Sequence, residues 1–467
     1  MEKKDGITLV DFITIFHSYH YAYLYAGIHF ADKGEAMARR KNMKVVVPSI
    51  LTIIMGNVLV NTTMAAETNV LQAAPAYTAT QTKGESLWSN DDTAIGILGS
   101  VRLMAKTDSH HSQEHNIQNN DSRLGVAVRH NFDLNGLSNY AVGYYETGVH
   151  GLDSATDDQG NDVYTRQAYA GIGNDRYGVV TFGKQYAPTD WGLGIDTTYA
   201  WGGKAKHDTA GMSTDIINSA AIYYFNDKNM TLGVMGQGND NVDSIGFAAY
   251  GDGPNLHDAY RDGSATVHGG AAAAAQYRWD NGFSVSSAVA YNHYTVNSGS
   301  ASGCQSFGPN GHCFHYTDNN GDAYDGNTYS MGMNAKYTAN VGDHAWYNGA
   351  EVTYYLNKVN DVKAATSGHY DRNTRHGDDQ ETVLGLEYDS QFKITPAWGV
   401  YVDFNWSQGG DAMDGQHFQS TVLGTDYWLG NSAVTYLEYG YEKAWGNDNE
   451  AWNIDDHLGA VGLRVFI

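Results

Sequence analysis

The segment HHSQEH is the first candidate for chemistry, because it places His110, His111 and His115 close together. Imidazole nitrogens bind zinc when the fold brings them to a common point with tetrahedral geometry. Nothing around this segment predicts a helix that would align the three rings. A hydrophilic surface loop explains the segment better than a metal site does, so we expect neither a metal nor a cofactor.

Catalytic motifs are the second kind of candidate. Gly-x-Ser-x-Gly, His-Glu-x-x-His and a Gly-rich phosphate loop do not occur in the structural context that each would need. The 19 histidines and many serines still leave room for a Ser/His or Asp/His pair at the edge of a loop. Catalysis is the weaker hypothesis without a motif, and we predict that the protein is not an enzyme.

The composition indicates a large β-protein. The 467 residues include 54 Gly and 34 Tyr but only 6 Pro, and the mean hydropathy is −0.45. No run in the main body is apolar enough for a membrane-spanning helix. A β-barrel alternates apolar outward with polar inward residues, so a hydrophilic average is compatible with membrane insertion. A soluble secreted β-protein is the alternative on composition alone.

The net charge of −24 excludes one class of partner. Proteins that bind nucleic acid need a basic face, so we predict no nucleic-acid partner. The acidic residues either keep a large protein soluble or give it a preference for cations over anions.

Residues 165–224 are the stretch around which the rest of the chain is organised. Two runs rich in aromatic and β-branched residues, at 164–173 and 177–186, are joined by Asn174-Asp175 and predict a β-hairpin. A Gly-rich segment at residues 187–218 separates this hairpin from the next run. Connections of this length are uncommon, so we predict that the segment folds into a barrel and narrows it.

Short turns and long polar loops alternate along the rest of the chain. Turn residues occur at Asn135-Gly136, Asn174-Asp175, 227–229, Asn281-Gly282, Gly342-Asp343 and Gly430-Asn431. Long loops fall near residues 106–121, 151–163, 187–217, 238–266, 295–326, 357–380, 407–417 and 445–455. The runs between these eight loops predict about sixteen antiparallel strands, with the turns on one side and the loops on the other.

The runs themselves alternate in polarity. Val400 and Phe404 fall on one face of their run, whereas Asp403 and Asn405 fall on the other. The final run, residues 461–467, likewise places Arg464 on the inner face.

The first 85 residues have a different character. Residues 43–66 have the form of a secretory signal peptide, because an apolar stretch follows Arg39, Arg40, Lys41 and Lys44 and leads to small residues ending at Ala65-Ala66. We therefore predict cleavage after Ala66. Residues 1–42 do not fit in front of such a signal, and a wrongly assigned upstream start codon is favoured over a membrane anchor. Residues 67–85 are interpreted as a flexible leader, and residues 86–467 as the barrel domain.

Cys304 and Cys313 are the only cysteines, and eight residues separate them in a loop rich in Gly and Asn. Exported proteins meet an oxidising compartment, so we predict a disulfide that closes this loop. Two free thiols are the alternative. A redox-active pair would more typically be Cys-x-x-Cys, so no catalytic role is expected.

Five stretches distributed along the chain carry a family resemblance. TRQAYAG at residues 165–171 precedes FGKQY at 182–186 and a long acidic and aromatic loop that closes on Asn218-Ser219. SRLG at 122–125, GTDYWLGNSAVTYLEYGY at 424–441 and VGLRVFI at 461–467 agree with them. In combination these stretches resemble the general diffusion porins of Gram-negative outer membranes.

The resemblance implies a constriction between the barrel wall and the long loop. Arg123 and Arg166 match wall arginines that stand opposite the loop in that family, and Arg102 and Glu146 are expected on the same inner wall. The loop would supply Asp190, Asp196, Lys204, Lys206, Asp208 and Asp215. The two lysines stand where family members commonly have an acid, so ion selectivity is not carried over from the family.

We therefore expect an all-β protein, an antiparallel transmembrane β-barrel of about sixteen strands whose third long loop folds into the lumen. Its expected function is passive diffusion of small hydrophilic solutes and ions across a Gram-negative outer membrane, with a mild cation preference. The resemblance further implies a homotrimer, contact with outer-membrane lipid and lipopolysaccharide, and assembly by the barrel-assembly machinery. The alternatives are an adhesive or structural barrel and a membrane-embedded hydrolase.

Overall fold

The computed structural model describes residues 83–108, 117–149, 163–203, 216–242, 265–296, 302–307, 312–317, 324–342, 344–361, 380–411, 417–445 and 454–466. The chain divides into two units, Met1–Leu59 and Val60–Ile467, and all of these residues belong to the second. The predicted upstream extension, the signal peptide and the segment HHSQEH lie outside the described residues.

The described residues are almost entirely β-structure, with one short helix, α1 (Pro188–Gly192). The strands are β1 (Lys83–Ser89), β2 (Thr93–Asp108), β3 (Ile117–Asn119), β4 (Arg123–Leu134), β5 (Leu137–Val149), β6 (Val163–Asn174), β7 (Gly178–Tyr186), β8 (Ile216–Asn226), β9 (Met230–Gln237), β10 (Asp240–Val242), β11 (Ala265–Arg278), β12 (Phe283–Val296), β13 (Ser302–Phe307), β14 (His312–Thr317), β15 (Tyr324–Val341), β16 (His344–Asp361), β17 (Gln380–Lys393), β18 (Trp398–Asp411), β19 (His417–Trp428), β20 (Ala433–Trp445) and β21 (Ile454–Phe466). No helix in this part of the chain is long and apolar enough to cross a membrane.

Sixteen of the strands form a closed antiparallel barrel, which confirms the predicted number. Successive strands pair with one another, and the last strand, β21, pairs with β2 to close the ring, with Val101 opposite Val465. β3 and β10 are short pieces that pair with β2 and β11, and β1 pairs with the first half of β2. Pairing of the first and last strands closes the ring of sixteen, as a barrel in lipid requires.

The hairpin turns lie where their residue types predict them. Asn135 and Gly136, between β4 and β5, both have positive φ, 56° and 75°, as a two-residue turn matched to strand twist needs. The turn at 394–397 between β17 and β18 was missed. Its sequence is Ile-Thr-Pro-Ala, which has neither the Gly nor the Asn that marks most of the other turns.

Side-chain burial alternates along the strands and confirms the predicted inner and outer faces. In β4, Arg123 and Ala127 are buried on the lumen side, whereas Leu124 and Val126 are 45% and 41% exposed on the outside. In β21, Arg464 is buried and its apolar neighbours Val461, Leu463 and Val465 are exposed. The apolar residues thus cover the surface that faces lipid in such a barrel.

The two cysteines lie on a separate two-stranded hairpin made of β13 and β14. Cys304 is opposite His315 and Cys313 is opposite Ser306, so the two cysteines are two positions out of direct register. The predicted disulfide stays a prediction.

Candidate functional site

The long connection after β7 enters the lumen, as the sequence predicts. Its described part, residues 187–203, is called the inner loop below. It begins with α1, where Pro188 occupies the first turn after an extended Ala187 with φ −67° and ψ 153°. Apolar side chains at alternate positions within α1 and beyond it are buried. These side chains are Trp191 in α1 and Leu193, Ile195, Tyr199 and Trp201 after it.

Small residues on the inner wall make room for the inner loop. Ala274 and Ala288, on β11 and β12, are buried beneath α1, and a Cβ on Gly192 would lie only 2.6 Å from the Cβ of Ala274. Further along, a Cβ on Gly349 of β16 would lie 2.7 Å from the Cβ of Ile195. Since real Cβ atoms do not approach so closely, these positions admit the loop only without larger side chains.

Acidic residues of the wall hold the backbone of the inner loop. The amide nitrogen of Gly194 donates to Glu351 Oε2 at 2.5 Å, and both the amide and the hydroxyl of Thr197 donate to Asp389. Glu438 accepts from the amide nitrogens of Tyr199 at 2.5 Å and Ala200 at 2.9 Å. Backbone N–H groups of a loop inside a barrel need hydrogen-bond acceptors, and the wall carboxylates supply charge-assisted hydrogen bonds.

The described end of the inner loop reaches the strands that close the barrel. The ring of Tyr199 stacks on Tyr436 with centroids 4.7 Å apart, and its hydroxyl donates to Asp426. The carbonyl oxygen of Tyr199 accepts from Arg464 Nη2 at 2.6 Å and from Asn120 Nδ2 at 3.2 Å. The loop therefore follows the inner wall from β9, below Trp191, to β21.

The predicted wall arginines form one cluster on β2, β4 and β6. Arg102, Arg123 and Arg166 are all at least nine-tenths buried, and Asp121 lies among them. Asp121 Oδ2 is 3.3 Å from Arg166 Nη2 and 3.9 Å from Arg102 Nη1, and it also forms an ion pair with Arg123. The shared anion offsets the repulsion between three neighbouring cations.

Glu146 belongs to the same cluster, as expected. Its Oε1 accepts from Arg166 Nη1 at 3.0 Å and from Gln167 Nε2 at 3.2 Å, and its Oε2 accepts from the hydroxyl of Tyr144 at 2.7 Å. With three donors and a side chain that is 1% exposed, it is a fixed wall group.

A cavity of about 350 Å³ adjoins this cluster. It is lined by Asp121, Tyr164, Arg166, Lys184, Ile216 and Asn218. The lining is mostly polar and carries both signs of charge, so this part of the lumen suits water and hydrophilic solutes.

The acids predicted on the long loop have separate positions. Asp190 is buried within α1. Asp196 is half-buried and points towards wall acids, with carboxylate oxygens of Asp196, Asp389 and Asp403 all within 4.8 Å of one another. Lys204, Lys206, Asp208 and Asp215 lie outside the described residues.

Two features were not predicted from the sequence. The first is the set of wall acids that bind the inner loop, and the second is Asp121, the anion among the arginines. Glu351, Asp389 and Glu438 each occupy an inward position of β16, β17 or β20. The alternation of inward and outward residues along these strands would have predicted their orientation. Asp121 precedes β4 with a φ of 61°, and nothing in its sequence context indicates that it turns towards the arginines.

The fold and the site define a class of protein: an outer-membrane β-barrel whose lumen is narrowed by an inward loop. The chain belongs to the Gram-negative porin family, whose model matches residues 89–447. Its location is accordingly the outer membrane of a Gram-negative bacterium.

Known proteins similar to this chain agree with that membership. It is 27% identical over 411 residues to the major outer membrane protein of Pasteurella multocida strain Pm70, covering 85% of this chain and 99% of that protein. Among solved structures, the outer membrane channel DcaP of Acinetobacter baumannii has a TM-score of 0.55 at 14% identity, covering 82% and 99% of the two chains. The trimer form of Vibrio cholerae OmpT has a TM-score of 0.54 at 16% identity, covering 81% and 100%.

Proposed function

We propose that the protein is a passive diffusion channel for small hydrophilic solutes and ions with a mild preference for cations. The observation that carries the proposal is that basic and acidic residues lie on different parts of the wall of the lumen. The arginine cluster stands on β2, β4 and β6, and the inner loop lies against acid-bearing strands of the remaining wall. In a diffusion channel, the electric field of the charged wall residues and the narrowest diameter determine which solutes pass, and no bound cofactor or energy source is needed.

The cation preference rests on the balance of described inward charges. Asp121 and Glu146 offset two of the three arginines of the cluster. On β16 to β20 the buried acids outnumber the lysines near them, Lys336 and Lys393. These acids are Glu351, Glu387, Asp389, Asp403, Asp426, Glu438 and Glu442. Where these acids are ionised the sum is negative, and a negative lumen enriches cations.

The alternative functions predict a different result in one experiment. We would refold the mature protein in detergent, insert it into a planar lipid bilayer and record currents across a salt gradient. The proposed channel gives stepwise conductance with a reversal potential of cationic sign. A folded barrel without conductance would instead favour the adhesive, structural or hydrolase interpretation, and a reversal potential of anionic sign would reject the cation preference alone.

Membership in the family and the trimer form of the Vibrio cholerae protein support a homotrimer. Lipopolysaccharide and the barrel-assembly machinery are proposed as further partners, since lipid surrounds the apolar outer face. The signal peptide at residues 43–66 and the Cys304–Cys313 disulfide complete the proposal as consequences of export. A mass increase of the peptide containing both cysteines upon reduction would reveal the disulfide.

A further inference from the structure

Three carboxylates from separate parts of the chain meet between the inner loop and the wall. Asp196 belongs to the inner loop, and Asp389 and Asp403 are directly opposite each other on β17 and β18. Oxygen atoms of all three lie within 4.8 Å of one another. The sequence predicts no metal site here, because 192 residues separate Asp196 from Asp389 and only the closed barrel brings them together.

A second observation at the same place is an acid with no donor. Glu387 occupies the next inward position of β17 and is only 3% exposed. Neither of its carboxylate oxygens accepts a hydrogen bond from a neutral or basic group in the described part of the chain, nor does Asp403 Oδ2. The side chains of Glu387 and Asp403 are hydrogen-bonded to each other.

Such an arrangement is stabilised either by protons or by a positive partner. Burying a carboxylate without a hydrogen bond or an opposite charge is costly, and the cluster places Asp196, Glu387, Asp389 and Asp403 together. Among the described residues, Lys336 acts on Asp389; it lies two strands away on β15, opposite Gly349 of β16, which is itself opposite Asp389. The strongest neighbouring charges that act on Glu387 are those of other acids.

We infer that a divalent cation of the calcium class binds between the inner loop and the wall, held by Asp196, Asp389 and Asp403 with Glu387 beside them. The donor set consists of oxygen atoms alone, which suits Ca²⁺ and Mg²⁺ and disfavours metals that prefer nitrogen or sulfur. One ligand comes from a loop and two come from strands. This irregular arrangement fits the variable geometry of Ca²⁺ better than the strict octahedron of Mg²⁺.

The ion would fix the inner loop at a point where hydrogen bonds already hold it. Thr197, next to Asp196, donates to Asp389 through its amide at 2.9 Å and its hydroxyl at 2.8 Å. Tyr347 donates to the carbonyl oxygen of Ile195 at 2.7 Å. A cation bound here joins the loop to β17 and β18 electrostatically and lowers the negative charge of the lumen at that level.

The test is calcium binding by the full chain refolded in detergent without lipopolysaccharide. The protein is stripped with a chelator, dialysed and titrated with CaCl₂ by calorimetry, and Tb³⁺ luminescence sensitised by nearby tyrosines such as Tyr347 provides a second readout. We expect one Ca²⁺ site per chain and displacement of Tb³⁺ by Ca²⁺. Asp403→Asn and Glu387→Gln should each weaken Ca²⁺ binding at least about tenfold, because ligand charge sets affinity in such sites.

Asp91→Asn is the matched control, since it removes one acid that is exposed in the turn between β1 and β2. It should bind Ca²⁺ as the unaltered protein does. Folding of each variant is checked by its heat-dependent migration in a denaturing gel, and either variant alone is sufficient for the comparison. Absence of Ca²⁺ binding by the unaltered protein, or equal binding by the cluster variants, would overturn the inference. Neither measurement depends on conductance, so the proposed channel function stands or fails separately.

Discussion

At the scale of single residues, the arginine cluster shows how one half-buried anion, Asp121, changes the charge of a lumen. Asp121 forms ion pairs with Arg102, Arg123 and Arg166, and it is more exposed than any of them. Substitution of the anion and substitution of the cations should therefore change the field in opposite directions. A unit charge about 5 Å from a passing ion contributes about 0.8 kcal/mol in water, or about a fourfold change in relative permeability.

The double variant Arg123→Gln and Arg166→Gln should raise both the cation preference and the conductance, whereas Asp121→Asn should move selectivity towards anions. Reversal potentials across a salt gradient measure both effects. Arg129→Gln is the control, because Arg129 lies on the same strand but pairs with Asp175 in the turn between β6 and β7. Equal reversal potentials for all of these proteins would remove the cluster from the constriction.

The residue-level site was only partly predictable from the sequence. Arg123 and Glu146 could be placed on the inner face because strands have a period of two. Asp121 could not be placed, since its direction depends on a single positive φ in a loop. Asp389 and Asp403 are visible as inward acids, but their approach to Asp196 depends on the path of the inner loop.

At the scale of elements, the inner loop and the wall beneath it have complementary shapes. Small side chains of β11 and β12 lie under α1, and Gly332 and Gly349 lie under Leu193 and Ile195. The strands and turns could be predicted because each is specified locally by alternation and turn residues. The path of the loop could not, because it depends on space left by strands far away in sequence.

Gly349→Ala tests this complementarity. The new Cβ would lie 2.7 Å from Ile195 Cβ, so the loop must move towards the lumen, and overpacking of this kind costs about 1–3 kcal/mol. We expect a lower single-channel conductance and a lower unfolding temperature in detergent. Gly236→Ala on β9 is the control, because nothing lies within 4 Å of its Cβ position and it should resemble the unaltered protein. Identical conductance and stability for Gly349→Ala would contradict the described packing of the loop.

At the scale of the whole molecule, the closed barrel separates two environments by the two faces of every strand. Charged and hydrogen-bonding groups lie inside, and residues such as Leu124, Val234 and Leu437 are exposed outside. The number of strands and their orientation follow from the sequence because the same alternation recurs in each run. The number of barrels that associate does not follow from the sequence, because an apolar outer surface is equally suited to contact with lipid and with a second barrel.

The association state is therefore the last prediction, and it rests on the proposed homotrimer. Protein extracted in mild detergent should sediment as three chains, chemical cross-linking should stop at the trimer, and channel openings should occur in groups of three. Heating in denaturing detergent should convert the complex to single chains, which provides the internal control. A conducting monomer would reject the trimer and retain the channel, because each barrel has its own inner loop and arginine cluster and needs no neighbour to complete the lumen.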